Sequence, residues 1–134
     1  MKALIVWLLT LLILLCRTSH GQSVSGVINT YYQVTAVNTP SNTLTVSNAS
    51  GLSVGQRVLI YQAKGTIYNT SNTATFGDIT TFNAAGAYEF NTICTINGNN
   101  VQLRDQFVNS YSVGGQVQLV TMPSYSSVTI SGAV

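Results

Sequence analysis

The segment from Val37 to Val58 recurs in outline from Ile96 to Val117. Each copy opens on an apolar residue followed by Asn (Val37-Asn38, Ile96-Asn97), turns through a polar hairpin, and reaches a Ser-Val-Gly triplet (Ser53-Val54-Gly55, Ser112-Val113-Gly114). The offset is 59 positions at both ends, 96 − 37 and 117 − 58, and only a two-residue difference in hairpin length, made up in the next loop, disturbs it. The repeat predicts two β-β-loop-β units, about 30 to 62 and about 88 to 121. An excursion from Ala63 to Ala87 joins them, and an exit strand near 127 to 131 follows. Two three-stranded units that each bury one face bury them most economically against each other. The expectation is a small all-β barrel or sandwich of about six to seven strands with a pseudo-two-fold axis. A period of this length that occurs only twice does not make a solenoid.

Composition agrees with strands. Ser, Thr and Asn supply 40 of the 113 residues from Gln22 to Val134, against four Lys, Glu and Arg together, and the apolar residues are mostly Val, Ile, Tyr and Phe. These are residues of pleated surfaces and turns. Leu44 and Val46 alternate with Thr43, Thr45 and Ser47, and Val128 and Ile130 flank Thr129, so each segment is read as turning one face inward. From Tyr88 to Ile96, the pattern puts Tyr88, Phe90, Cys94 and Ile96 on the core face, with Glu89, Asn91 and Thr95 on the polar one. The run Arg57-Val58-Leu59-Ile60-Tyr61 reads as a central strand buried on both faces. Hairpin turns are expected at Asn38–Asn42 and Asn97–Asn100, and Gly55 and Gly114 are expected to turn the chain into the strands that follow.

The first 21 residues read as a cleavable secretory signal. Lys2 gives a short positive start, Ala3 to Cys16 form an apolar run broken only by Thr10, and the small residues Ser19 and Gly21 precede a cut between Gly21 and Gln22. The run of 14 residues falls short of the roughly 20 that a membrane span needs, so no stable span is expected after cleavage. Acylation of Cys16 is the rival reading, and Leu15 argues against it, since lipoprotein signals place a small residue there. The domain organisation is then 1–21 signal peptide and 22–134 a single all-β domain.

Lys2, Arg17 and His20 leave with the leader. What remains carries Arg57, Lys64 and Arg104 against Asp78, Glu89 and Asp105, a net charge of zero. A neutral chain offers no basic face to nucleic acid or anionic lipid, so neither is an expected partner. Cys94 alone remains as a thiol, so stability rests on packing and not on an internal disulfide. With no His after residue 21, Ser-His, Cys-His and most transition-metal constellations are closed off. The three carboxylates read as solvated or turn residues, not as an acid-base pair, and no short acidic loop suggests calcium. The chain is therefore expected to be non-enzymatic, with no catalytic residue, metal or cofactor assigned.

Seven tyrosines and abundant Asn and Gln leave a carbohydrate-binding alternative open. Tyr32, Tyr61 and Tyr88 fall in strands and are expected in the core, whereas Tyr31, Tyr68, Tyr111 and Tyr125 are the candidates for exposure. The excursion is longer than a barrel needs, and loops of that size often carry function. Candidate binding residues are Tyr68, Asn69, Asp78, Tyr111 and Tyr125. Asn48-Ala49-Ser50 and Asn69-Thr70-Ser71 also match glycosylation acceptors.

Gly55-Gln56-Arg57-Val58-Leu59-Ile60-Tyr61-Gln62-Ala63-Lys64-Gly65, Phe76-Gly77-Asp78-Ile79, Ala85-Gly86-Ala87-Tyr88-Glu89-Phe90 and Gln116-Val117-Gln118-Leu119-Val120 together resemble the N-terminal region of large secreted surface proteins of the Bacteroidota. Many of those proteins carry gliding-motility-associated or type IX secretion sorting domains at their far C-terminus. The resemblance implies a non-catalytic structural module of an adhesin-like, cell-surface protein, with a Gly-rich, β-helical stretch after Val134, so that the chain reads as a fragment. A leader domain of a polysaccharide-degrading β-helix enzyme is a further alternative. Expected partners are surface glycans or other surface proteins. The expected location is secreted or on the cell surface, or the periplasm if 134 residues are the whole product.

Overall fold

A computed structural model describes residues 21–132; the expected signal peptide, with Cys16, lies outside the described residues apart from its last position, Gly21. The fold is all-β, as the repeat predicts. Ten strands follow in order: β1 (Gln22–Val24), β2 (Tyr31–Asn38), β3 (Thr43–Val46), β4 (Arg57–Gln62), β5 (Ile67–Tyr68), β6 (Ile79–Thr81), β7 (Tyr88–Asn97), β8 (Asn100–Leu103), β9 (Val117–Thr121) and β10 (Val128–Ile130). A 3-10 turn, Val113–Gly115, precedes β9. The chain divides into two compact units, one running from Val27 to Ser124 and the other combining the segments on either side of it.

In the second of these units, β1 and β10 pair in parallel, Gln22 with Val128 and Val24 with Ile130. The exit strand is thus present, but it does not turn a face inward: Val128 and Ile130 are 45% and 69% exposed. A three-residue strand with a single partner has little area to bury, and of this pair Val24 alone is buried.

The Val27–Ser124 unit holds a closed six-stranded antiparallel barrel in the order β2-β3-β8-β7-β4-β9. Moving each strand of the first repeat onto its mate (β2 to β7, β3 to β8, β4 to β9) maps this ring onto itself. Residue spacing follows the same operation. Val34, Val58 and Ile60 correspond to Ile93, Val117 and Leu119 at an offset of 59, while Leu44 and Val46 correspond to Val101 and Leu103 at 57, the hairpin difference. All ten are buried and pack in one cluster that fills the barrel. About eight strands already leave an interior that side chains fill, and six leave less, so the barrel is solid. Each buried aliphatic contributes roughly 1.5–3 kcal/mol of transfer free energy.

Both long strands carry a bulge at the same place. Register shifts between Val34 and Ala36 on β2 and between Ile93 and Thr95 on β7, again 59 apart. A bulge adds one residue and so exchanges the inward and outward sets beyond it. Simple alternation across β7 therefore fails. Asn91 and Ile93 point inward before the bulge and Ile96 packs against the core after it, whereas Tyr88 and Phe90 are exposed at 60% and 52%. Cys94, expected in the core, is exposed, because it sits at the bulge itself. Tyr88 is likewise a surface residue and not a core one. Arg57–Gln62 buries one face, Val58, Ile60 and Gln62, and half-covers Leu59 and Tyr61 on the other, so the expectation of burial on both faces is corrected.

The symmetry is broken at two inward positions. Where the first repeat has Tyr32, its hydroxyl donating to the Ser50 carbonyl at 2.9 Å, the second has Asn91, whose amide donates to the Asp105 carbonyl at 2.9 Å. Where the second has Thr121, the first has Gln62.

Candidate functional site

Gln62 closes β4 and is fully buried. A buried carboxamide without partners costs a few kcal/mol, so its bonds dictate what packs around it. Its Nε2 donates to the carbonyls of Lys64 at 2.7 Å and Asn83 at 2.8 Å, and its Oε1 accepts from the Ser112 amide at 2.8 Å. One side chain thereby ties the barrel to the return arm of the excursion and to the loop ahead of β9. Gly115 makes this possible, since a Cβ there would overlap the Gln62 amide and come within 2.6 Å of the Lys64 carbonyl. Gly65 faces the same cluster, with the Phe82 carbonyl 3.0 Å from where its Cβ would sit.

Around this knot opens a cleft of about 520 Å³, a size suited to a small ligand. Asn83, Ala84 and Ile67 of the excursion form one wall; Ser110, Tyr111 and Ser112 form the other. No charged side chain lines it. Hydroxyls, an amide and exposed aliphatic carbon are what it offers.

Tyr111 is the best-anchored group on the second wall. It packs against the core and edge-on to Phe107, with centroids 6.1 Å apart at 76°, and Asn109 Nδ2 donates to its Oη at 3.4 Å. Burial pushes its pKa up to about 12, with the nearby Glu89 carboxylate adding to the rise and the Asn109 bond opposing it. The phenol therefore stays protonated and able to donate at any physiological pH.

Glu89 holds the loop that carries Tyr111. One carboxylate oxygen accepts from the amides of Val108 at 2.9 Å and Asn109 at 3.0 Å and from Asn109 Nδ2 at 3.3 Å. The sequence pattern put Glu89 on a solvated face. The structure half-buries it, because β7 alternates in the opposite phase before its bulge.

The excursion folds into a hairpin, with Ile67 opposite Thr81 and Tyr68 opposite Ile79. Tyr68, 54% exposed, Asn69 and Asp78 sit together there, Asn69 and Asp78 joined by a backbone bond of 2.8 Å. Of the five expected binding residues, Tyr111 alone lines the cleft; Tyr68, Asn69 and Asp78 lie farther along the hairpin, and Tyr125 belongs to the other compact unit. Tyr111 is half-buried, and not freely exposed as its position in a polar loop suggested. Gln62, Asn83 and Gly115 were missed. The repeat held a signal for the first, since Gln62 aligns with Thr121 at an inward position, and a large amide there has to be met by something outside the repeat.

Among the described residues, no helix is long and apolar enough to cross a membrane. No family model matches the chain, and no curated protein matches it. Among solved structures it is similar to Gp54, the tailspike of Acinetobacter baumannii bacteriophage AP22, determined in complex with A. baumannii capsular saccharide. The TM-score is 0.50 at 17% identity, over 82% of this chain and 16% of the tailspike's. The chain thus spans a small part of that protein's length, and what the two share is a fold.

Proposed function

We propose that this chain is a non-catalytic, glycan-binding module of a secreted or cell-surface, adhesin-like protein, and that the cleft beside Gln62 receives the sugar. The observation that carries this reading is the cleft's lining. A neutral, polyhydroxylated ligand is matched by hydroxyls of Ser110, Tyr111 and Ser112, the Asn83 amide and the apolar faces of Ile67 and Ala84, with no ion to desolvate. The Gln62 and Glu89 bonds hold both walls before any ligand arrives, which lowers the ordering cost of binding. The fold shared with a tailspike solved with a capsular saccharide supports the same class of ligand. The resemblance to secreted Bacteroidota surface proteins supports the location and the adhesin-like setting.

A glycan array probed with the intact chain, including bacterial capsular saccharides, is the test. Binding to a defined subset, weakened several-fold by Tyr111→Phe, is expected. Absence of binding across the array at millimolar sugar refutes the proposal.

A further inference from the structure

The outer face of the barrel carries a second feature that the cleft does not explain. On β2 the residues Tyr31 and Gln33 are exposed, and on β9 Gln118 is half-exposed between the buried Val117 and Leu119. Tyr31 pairs with Val120 and Gln33 with Gln118, so two glutamines face each other across the strands beside an aromatic ring that is 60% exposed. Directly paired side chains lie about 5 Å apart. A depression of about 350 Å³ opens beside them, lined by Tyr31, Tyr32, Gln33, Gln116, Val117 and Gln118. The row continues, since Gln118 also pairs with Tyr61, and Tyr61 with Tyr88.

Gln116 supplies an independent sign. It follows the 3-10 turn with φ 57°, a left-handed conformation in which glycine is the ordinary choice. A long side chain kept there against its backbone preference points to a use for that side chain. Its repeat mate, Arg57, lies in an ordinary strand, so the symmetry of the barrel does not demand the conformation.

We infer that this glutamine-lined depression between β2 and β9 is a second, separate saccharide subsite, in which Gln33, Gln116 and Gln118 hydrogen-bond sugar hydroxyls and Tyr31 stacks on a pyranose face. Three carboxamides present donors and acceptors at once, which suits hydroxyls that do both. A tyrosine ring offers a flat apolar surface with a polar rim. No charged group lines the depression, so the ligand is a neutral stretch of glycan. The inference shares with the preceding proposal the premise that the chain meets glycans, but it does not depend on the cleft.

The test is calorimetric titration of the intact chain with neutral gluco-, galacto- and manno-oligosaccharides and with purified capsular polysaccharide. Wild type, Gln116→Gly, Tyr31→Ala and Tyr111→Phe are compared, with melting temperature and sedimentation velocity measured on each. Gln116→Gly is expected to keep or raise the melting temperature, because it relieves the left-handed backbone, while weakening binding at least five-fold. Tyr31→Ala is expected to weaken it similarly. Loss of binding in Tyr111→Phe alone overturns the subsite and leaves the cleft standing; loss in the first two variants alone does the reverse. Failure of wild type to bind any of these sugars overturns both. Self-association of wild type that Tyr31→Ala abolishes, with sugar affinity unchanged, overturns the subsite in favour of an interface between copies.

Discussion

Ile60 on β4 pairs directly with Leu119 on β9, and the two occupy the same place in the two repeats, 59 residues apart. On the opposite side of the barrel Leu44 pairs with Val101, again its own repeat mate. The pseudo-two-fold axis therefore passes through both pairs. Backbone bonds obey it as well: Val46 donates to the Asn99 carbonyl and Leu103 to that of Asn42, the same bond with the repeats exchanged.

This symmetry makes Ile60→Ala and Leu119→Ala equivalent injuries. Each should cost about 2–5 kcal/mol, and the double variant should depart from additivity by about 0.5–3 kcal/mol, because the two side chains share one stretch of core. Denaturant unfolding of the three variants measures this. Strictly additive losses would mean that the pair does not touch.

Two adjacent glycines should respond oppositely. Gly115→Ala pushes a methyl group into the Gln62 amide and should destabilise by about 1–3 kcal/mol. Gly114→Ala meets nothing closer than the Ser112 hydroxyl at 3.9 Å and should be near neutral. Thermal melts of the two variants decide whether the Gln62 knot is built as described.

Tyr111 sets an alkaline limit. Its pKa rises from 10 to about 12 on folding, so between those values the folded chain keeps a proton that the unfolded chain has lost. The stabilisation is complete below pH 10 and is lost as pH climbs through 12. Tyrosinate absorbance should show a component that titrates near pH 12, and Tyr111→Phe should remove it. If the titration curves of wild type and the variant differ by no such component, the loop around Tyr111 is open to solvent.

Cys94 should react with a thiol reagent in the folded protein at a rate close to that of a free thiol, because the bulge turns it outward. Peptide mapping after brief alkylation reads this directly. Labelling that requires denaturant would return Cys94 to the core and remove the bulge.

The barrel was legible in the sequence because the Ser-Val-Gly triplets and the two hairpins fix a repeat, and a repeat of three strands has few ways to bury its faces. The bulges were not legible. Nothing in Tyr88–Ile96 marks the extra residue at Cys94, and a single shift of phase misplaced Tyr88, Glu89 and Cys94 together. Gly55 has the left-handed φ of 84° that its turn requires, but in the second repeat that conformation falls on Gln116 and not on Gly114, because a 3-10 turn replaces the first repeat's loop. The cleft was only partly legible. Tyr111 was identified by residue type, whereas Gln62 and Asn83 meet through a backbone carbonyl 21 positions away, a contact that strand periodicity does not encode.

The most direct test of the account is amide chemical-shift mapping of the intact chain during titration with a capsular saccharide that it binds. Progressive, saturable shifts at Asn83, Ala84, Ser110, Tyr111 and Ser112 are the predicted result. Saturation of binding with those five amides unmoved would contradict it.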